Sequence, residues 1–135
     1  MLWKLGTATL ILLLGLAGCE RVEGTSVDWD TDFESSLEEA KEVGQPTLVY
    51  FTADWCTICR EFEGDVASSP RLQQELAAFN LIKVDVDQSP QILDRYNLMG
   101  APSWQILDQE GLPVGKISGY GGDQEFRRTL NEFSL

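Results

Sequence analysis

Histidine is absent from this 135-residue chain. That excludes imidazole-based acid/base catalysis and most zinc sites. Basic residues are scarce: ten Lys and Arg stand against 22 Asp and Glu, a net charge of −12. Phosphate recognition needs clustered cations, so nucleic acid is excluded as a partner. No apolar run reaches the roughly 20 residues of a comfortable transmembrane helix. Cysteine is rare, with only Cys19, Cys56 and Cys59. An odd number implies that one of them differs in role from the other two. What is present suits a folded domain. Hydrophobic residues make up 43 % of a one-domain length, which supports a core and argues against disorder for most of the chain. The acidity itself is read as solubility.

The first residues read as an address. Met1 to Lys4 carry one positive charge, and Leu5 to Ala17 are apolar apart from small or weakly polar Gly6, Thr7, Thr9 and Gly15. This is the basic start and short apolar run of a secretory signal. It ends in Leu16-Ala17-Gly18-Cys19, which resembles the lipobox of bacterial lipoproteins. The resemblance implies lipidation of Cys19, removal of residues 1–18 and firm anchoring by several acyl chains. An ordinary cleaved signal and an uncleaved anchor are the competing readings. In enterobacteria, Asp after the lipidated Cys favours the inner membrane. Glu20 stands there instead, which tilts the expectation to the outer membrane. Cleavage removes Lys4 as the only charged side chain, leaving nine basic and 22 acidic residues and a net charge of −13. Residues 19–29 then form the lipidated end and a short tether, and 30–135 the domain.

Along the domain, helical and extended patterns alternate. Asp30 or Thr31 can cap a helix with Phe33, Leu37, Ala40 and Val43 on one face, stopped by Gly44. Thr47 to Thr52 is a continuous apolar, β-rich run, expected for a strand buried on both faces. A turn leads to a helix beginning near Cys56. Ser69-Pro70 opens another, with Leu72, Leu76 and Phe79 inward. Leu81 to Val86 reads as a strand, and Ser89-Pro90 as the start of a short helix with Ile92, Leu93 and Tyr96. Ser103 to Leu107 and Pro113 to Ser118 form a hairpin around Asp108 to Gly111. A last helix begins at Gly122 or Asp123 and carries Phe126, Leu130 and Phe133. The order α-β-α-α-β-α-β-β-α gives an α/β domain around one mixed sheet.

Trp55-Cys56-Thr57-Ile58-Cys59 carries the chemistry. A thiolate is the attacking species in disulfide exchange. Cys56 follows a buried strand and starts a helix, where free N–H groups and the helix dipole favour negative charge. Cys59 lies one turn further along the same face and can resolve a mixed disulfide on Cys56. Half a zinc site is the competing reading of Cys-x-x-C, but further ligands are missing. A purely structural disulfide is another, though so short a loop restrains the unfolded chain little.

The run Ala53 to Phe62 after a strand resembles the thioredoxin superfamily. Together with Ser69-Pro70 it is most similar to the carboxy-terminal domain of the DsbD thiol:disulfide interchange family and related lipoproteins. The resemblance covers Asp30 to Phe133. Leu98 to Ser103 supports it by matching the family's cis-proline loop, which faces the two cysteines. The resemblance implies a thioredoxin-like fold, a central mixed β-sheet flanked by helices. It assigns catalysis to Cys56 and Cys59, substrate binding to Trp55, Ala101 and the cis Pro102, and needs no cofactor or metal beyond the disulfide. Thioredoxins often bury an Asp six residues before the first cysteine; here Tyr50 stands there. Asp54 or Glu61 could take over its part in proton transfer, although both fit a solvated surface. Thr57-Ile58 replaces the usual Gly-Pro.

These features point to a monomeric, periplasm-facing, lipid-anchored reductase of protein disulfides, re-reduced by a membrane electron donor of DsbD type. The carboxylates Asp54, Glu61, Glu63 and Asp65 near Cys56, and the lack of His between the cysteines, oppose strong thiolate stabilisation and hence a strong oxidant. A disulfide oxidase or isomerase is the alternative. A peptide-binding module using the cis-proline groove without redox turnover is another.

Overall fold

A computed structural model describes residues 27–133. The expectations for residues 1–18 and for Cys19 lie outside the described residues. The elements follow in the order α1 (Phe33–Val43), β1 (Thr47–Thr52), α2 (Thr57–Ser68), α3 (Pro70–Leu76), β2 (Asn80–Asp85), α4 (Pro90–Arg95), β3 (Ser103–Leu107), β4 (Pro113–Ser118) and α5 (Asp123–Glu132). The sheet order is β2-β1-β3-β4. β1 runs parallel to β2, antiparallel to β3, and β3 antiparallel to β4. This is the expected mixed sheet, with β1 in the middle.

β1 is buried at every residue, as its unbroken apolar run requires. Its side chains alternate between two helical layers. Tyr50 meets Phe62 of α2 and Trp104 of β3, and Trp104 meets Phe126 of α5. Phe51 points to the other face and meets Tyr96, which also packs on Phe33 of α1. α2 and α5 therefore cover one face of the sheet, and α1 covers the other.

Four details differ from the pattern reading. Asp32, not Asp30 or Thr31, caps α1, its carboxylate accepting from Ser35 N–H. Asp30 is used elsewhere, forming a parallel bridge with Ile82 of β2. Val43 is 75 % exposed rather than on the buried face. It occupies the last turn, where Gly44 at φ 68° turns the chain left-handed and its N–H bonds back to Ala40 and Lys41. β2 starts one residue early because Asn80 N–H pairs with the Pro46 carbonyl. It ends one residue early because Asp85 turns the chain, accepting from Asp87 and Gln88 N–H. Val27 and Trp29, read as the end of the tether, pack against the core.

Candidate redox site

The site lies where β1 ends. Its apolar run stops at Thr52, and the turn that follows is closed by Cys56 N–H donating to the Ala53 carbonyl. Cys56 then caps α2 from an extended backbone, and its sulfur accepts from Cys59 N–H at 3.1 Å. A sulfur in this position receives one of the unpaired donors of a helix start, which favours negative charge on it. Cys56 and Cys59 are joined in a disulfide with their Cα atoms 5.2 Å apart. Cys56 is 4 % exposed and Cys59 fully buried, so the first sulfur is the one nearer to solvent.

Around this pair the apolar surface is open. Trp55 is 64 % and Ile58 44 % exposed, and Met99 is completely so. The Trp55 indole N–H donates to the Asp87 carboxylate at 2.9 Å, fixing the ring against the loop after β2. Ala101-Pro102 is a cis peptide. Ser103 pairs with Phe51, so Pro102 stands level with the end of β1, at the same pole as Cys56. The Pro102 carbonyl accepts from Gly119 N–H, and Ser103 Oγ donates to the Gly100 carbonyl at 2.6 Å. Trp55, Ala101 and Pro102 thus share the pole that carries the two cysteines.

Under the disulfide lies Tyr50, fully buried. Its hydroxyl donates to Thr52 Oγ1 at 3.2 Å and to the Cys59 carbonyl at 3.5 Å. Burial disfavours the phenolate and pushes this hydroxyl up to about 12, although the neighbouring Thr52 hydroxyl opposes the rise. Tyr50 therefore remains neutral at physiological pH and presents no buried anion beneath Cys59. Asp54 and Glu61 are both exposed.

The four carboxylates assigned to the cysteine environment are not equivalent. Glu63 pairs with Arg60, and its other oxygen lies 2.9 Å from Lys83 Nζ, an ion pair without hydrogen-bond alignment. Asp65 accepts the Tyr120 hydroxyl. Burial, and then that bond, raise the Tyr120 hydroxyl well above the usual phenol range. Arg60 also donates to the Ala53 carbonyl at 2.8 Å, holding a cation at the turn before Cys56. Only Asp54 and Glu61 remain without such partners, so the local negative field is weaker than a count of carboxylates implies.

Asp87, Arg60 and Tyr120 were not recognised from the sequence. Asp87 lies 32 residues from Trp55, and Tyr120 55 residues from Asp65. No short-range spacing announces either pair. Lys83 could have been suspected, because it is a charged residue set between apolar Ile82 and Val84 in its strand.

Residues 33–134 match the family model described as a thioredoxin-like domain. The chain is 33 % identical over 117 residues to the chloroplastic thioredoxin-like protein HCF164 of Arabidopsis thaliana, covering 86 % of this chain and 45 % of that protein. It is 38 % identical over 105 residues to thiol:disulfide interchange protein DsbD 1 of Pseudomonas aeruginosa, covering 70 % of this chain and 18 % of that protein. It thus spans less than half the length of these curated relatives. A thioredoxin from Thermus thermophilus superposes with a TM-score of 0.70 at 26 % identity, covering 80 % of this chain and 87 % of the other. The C-terminal domain of Neisseria meningitidis DsbD, in its reduced form, gives 0.64 at 20 % identity, covering 74 % and 92 %. That second likeness concerns the fold alone.

Proposed function

The chain belongs to the thioredoxin-like family, and on that premise we propose that it is a lipid-anchored thiol:disulfide oxidoreductase that reduces disulfides of envelope proteins. The observation that carries this reading is the Cys56–Cys59 disulfide at the start of α2, with the Cys56 sulfur on the Cys59 N–H. In the reduced protein the Cys56 thiolate attacks one sulfur of a client disulfide. The client S–S bond breaks, its leaving thiolate takes a proton from water, and a mixed disulfide forms on Cys56. Cys59 loses its proton and attacks the Cys56 sulfur, releasing the second client thiolate. Two electrons pass to the client, and the Cys56–Cys59 bond is remade. A dithiol donor restores the pair by the same exchange in reverse, and a membrane protein of DsbD type is the donor proposed here.

Trp55, Ile58 and Met99 provide the apolar surface on which a client segment rests, with Ala101 and Pro102 alongside. Reduction is the favoured direction because His is missing between the cysteines and Asp54 and Glu61 remain as local anions. Lipidation of Cys19 and a periplasmic, outer-membrane location complete the proposal.

Two measurements test it. Cys59→Ser in cells is expected to trap envelope proteins on Cys56; a chain that captures none while still folded is not an exchange catalyst. Equilibration with glutathione buffers is expected to give a potential on the thioredoxin side, more negative than about −195 mV. A value near −120 mV, roughly that of a strong oxidant, would make this an oxidase instead.

A further inference from the structure

Exposed large apolar side chains occur at both ends of the sheet. Trp55, Ile58 and Met99 surround the redox pair. Val43, Leu112 and Val114, exposed at 75, 60 and 40 %, occupy the opposite pole. Val43 ends α1 just before β1 begins. Leu112 and Val114 flank Pro113, which pairs with Leu107, itself opposite Thr47 at the start of β1.

The N-terminal segment arrives at that second pole. Asp30 N–H donates to the Leu81 carbonyl at 2.9 Å, and Lys83 N–H to the Asp30 carbonyl at 2.8 Å. The pairing with β2 is parallel, so the residues before Asp30 lie toward Asn80, where β2 begins. β1 begins at the same level, Thr47 beside Asn80, and Cys56 follows its far end.

From this placement we infer that the domain stands on its membrane on the pole of Val43, Leu112 and Val114, with a lipid bilayer as the occupant and Cys56 facing away. The inference rests on the proposed anchoring through Cys19. Exposed Glu42 and Glu110 lie one and two residues from Val43 and Leu112, and the nearby Lys41 is already paired with Glu38, so the surface suits zwitterionic rather than anionic lipid. A six-residue strand spans about 20 Å. Residues 20–26 reach at most about 25 Å more. Client and donor must therefore approach from the compartment, at the height of Cys56, and not laterally along the anchoring membrane.

The test uses the full lipidated chain, carrying Cys56→Ser and Cys59→Ser, in phosphatidylcholine vesicles. Val43→Cys, Leu112→Cys or Ile58→Cys is added, all at exposed positions, and a nitroxide is attached. Accessibility to oxygen relative to a nickel chelate is read by electron paramagnetic resonance. The expected ratio is higher by about twofold or more at 43 and 112 than at 58, as for groups in the headgroup region. Equal ratios, or the highest at 58, overturn the orientation while anchoring stands. A chain that fails to float with vesicles, or whose Cys19 takes the label before any cysteine is added, overturns the anchoring and the orientation with it.

Discussion

Below the disulfide, aromatic rings are locked against one another; above it, apolar side chains stand apart. Phe62 lies within 4.9 Å of both Tyr50 and Trp104 by ring centroid, and 5.1 Å from Phe126. Each of these four side chains is at least 98 % buried. Trp55, Ile58 and Met99 are separated from that cluster by a single turn of α2 or by the cis-proline loop, yet all three face solvent. Burial stabilises the lower set through area removed from water and through ring geometry. The upper set contributes little to stability, and its apolar area is left for a partner to cover. The floor packs beneath Cys59, and the rim is the exposed apolar surface around Cys56 that the proposed function gives to the client.

The sharpest break of this contrast is at the cysteines. Cys56→Ser is expected to abolish exchange completely, whereas Cys59→Ser, beside the floor, accumulates mixed disulfides in non-reducing gels. If limiting alkylation of the reduced protein labels mainly Cys59, the roles are reversed.

Next in size is Phe62→Ala. Truncating a fully buried ring costs about 3–5 kcal/mol. Denaturant unfolding should show this loss; a cost below about 1 kcal/mol would mean the floor does not hold the site.

Tyr50→Phe probes the hydroxyl alone. Its bonds to Thr52 and Cys59 are worth about 1 kcal/mol at neutral pH. The pH dependence has a definite sign. The folded value, about 12, exceeds the roughly 10 of an unfolded tyrosine. This group's contribution is therefore complete below about pH 10 and lost as pH rises toward 12. The variant should show a shallower fall of stability across that window, measured by unfolding at successive pH values. An unchanged slope would remove Tyr50 from the account.

Met99→Ala should be the mildest. Stability is expected to change by no more than about 0.5 kcal/mol, as for other exposed sites. Client turnover should fall by about fivefold at most, the equivalent of about 1 kcal/mol of contact. Loss of stability without loss of turnover would erase the distinction between rim and floor.

Sequence patterns anticipated the floor well, because burial leaves periodic marks. β1 is apolar without a break, and Leu72, Leu76, Phe126 and Leu130 fall at helical spacings, whereas Phe62 entered only through the family resemblance. The redox pair was legible for a different reason, since Cys56 and Cys59 are neighbours in the chain. Ala101-Pro102 was legible through family resemblance and is cis in the structure. Long-range polar choices left no such marks. Asp28, Asp30 and Asp32 offer similar side chains near one helix start, and packing of Asp30 on β2 leaves Asp32 to cap it. Likewise Glu61 and Glu63 look alike in the sequence, but only Glu63 meets Lys83 across the fold. The carboxylate count consequently overstated the charge around Cys56.

Trp29, wedged 5.3 Å from Tyr50 and 6.3 Å from Phe62, gives the N-terminal segment a mechanical part. A pull on Val27 along the strand axis loads both Asp30 hydrogen bonds and this wedge at once, in shear, and does not peel them off one after another. Because this ring meets Tyr50, whose hydroxyl donates to the Cys59 carbonyl, the segment is coupled to the backbone directly beneath Cys59.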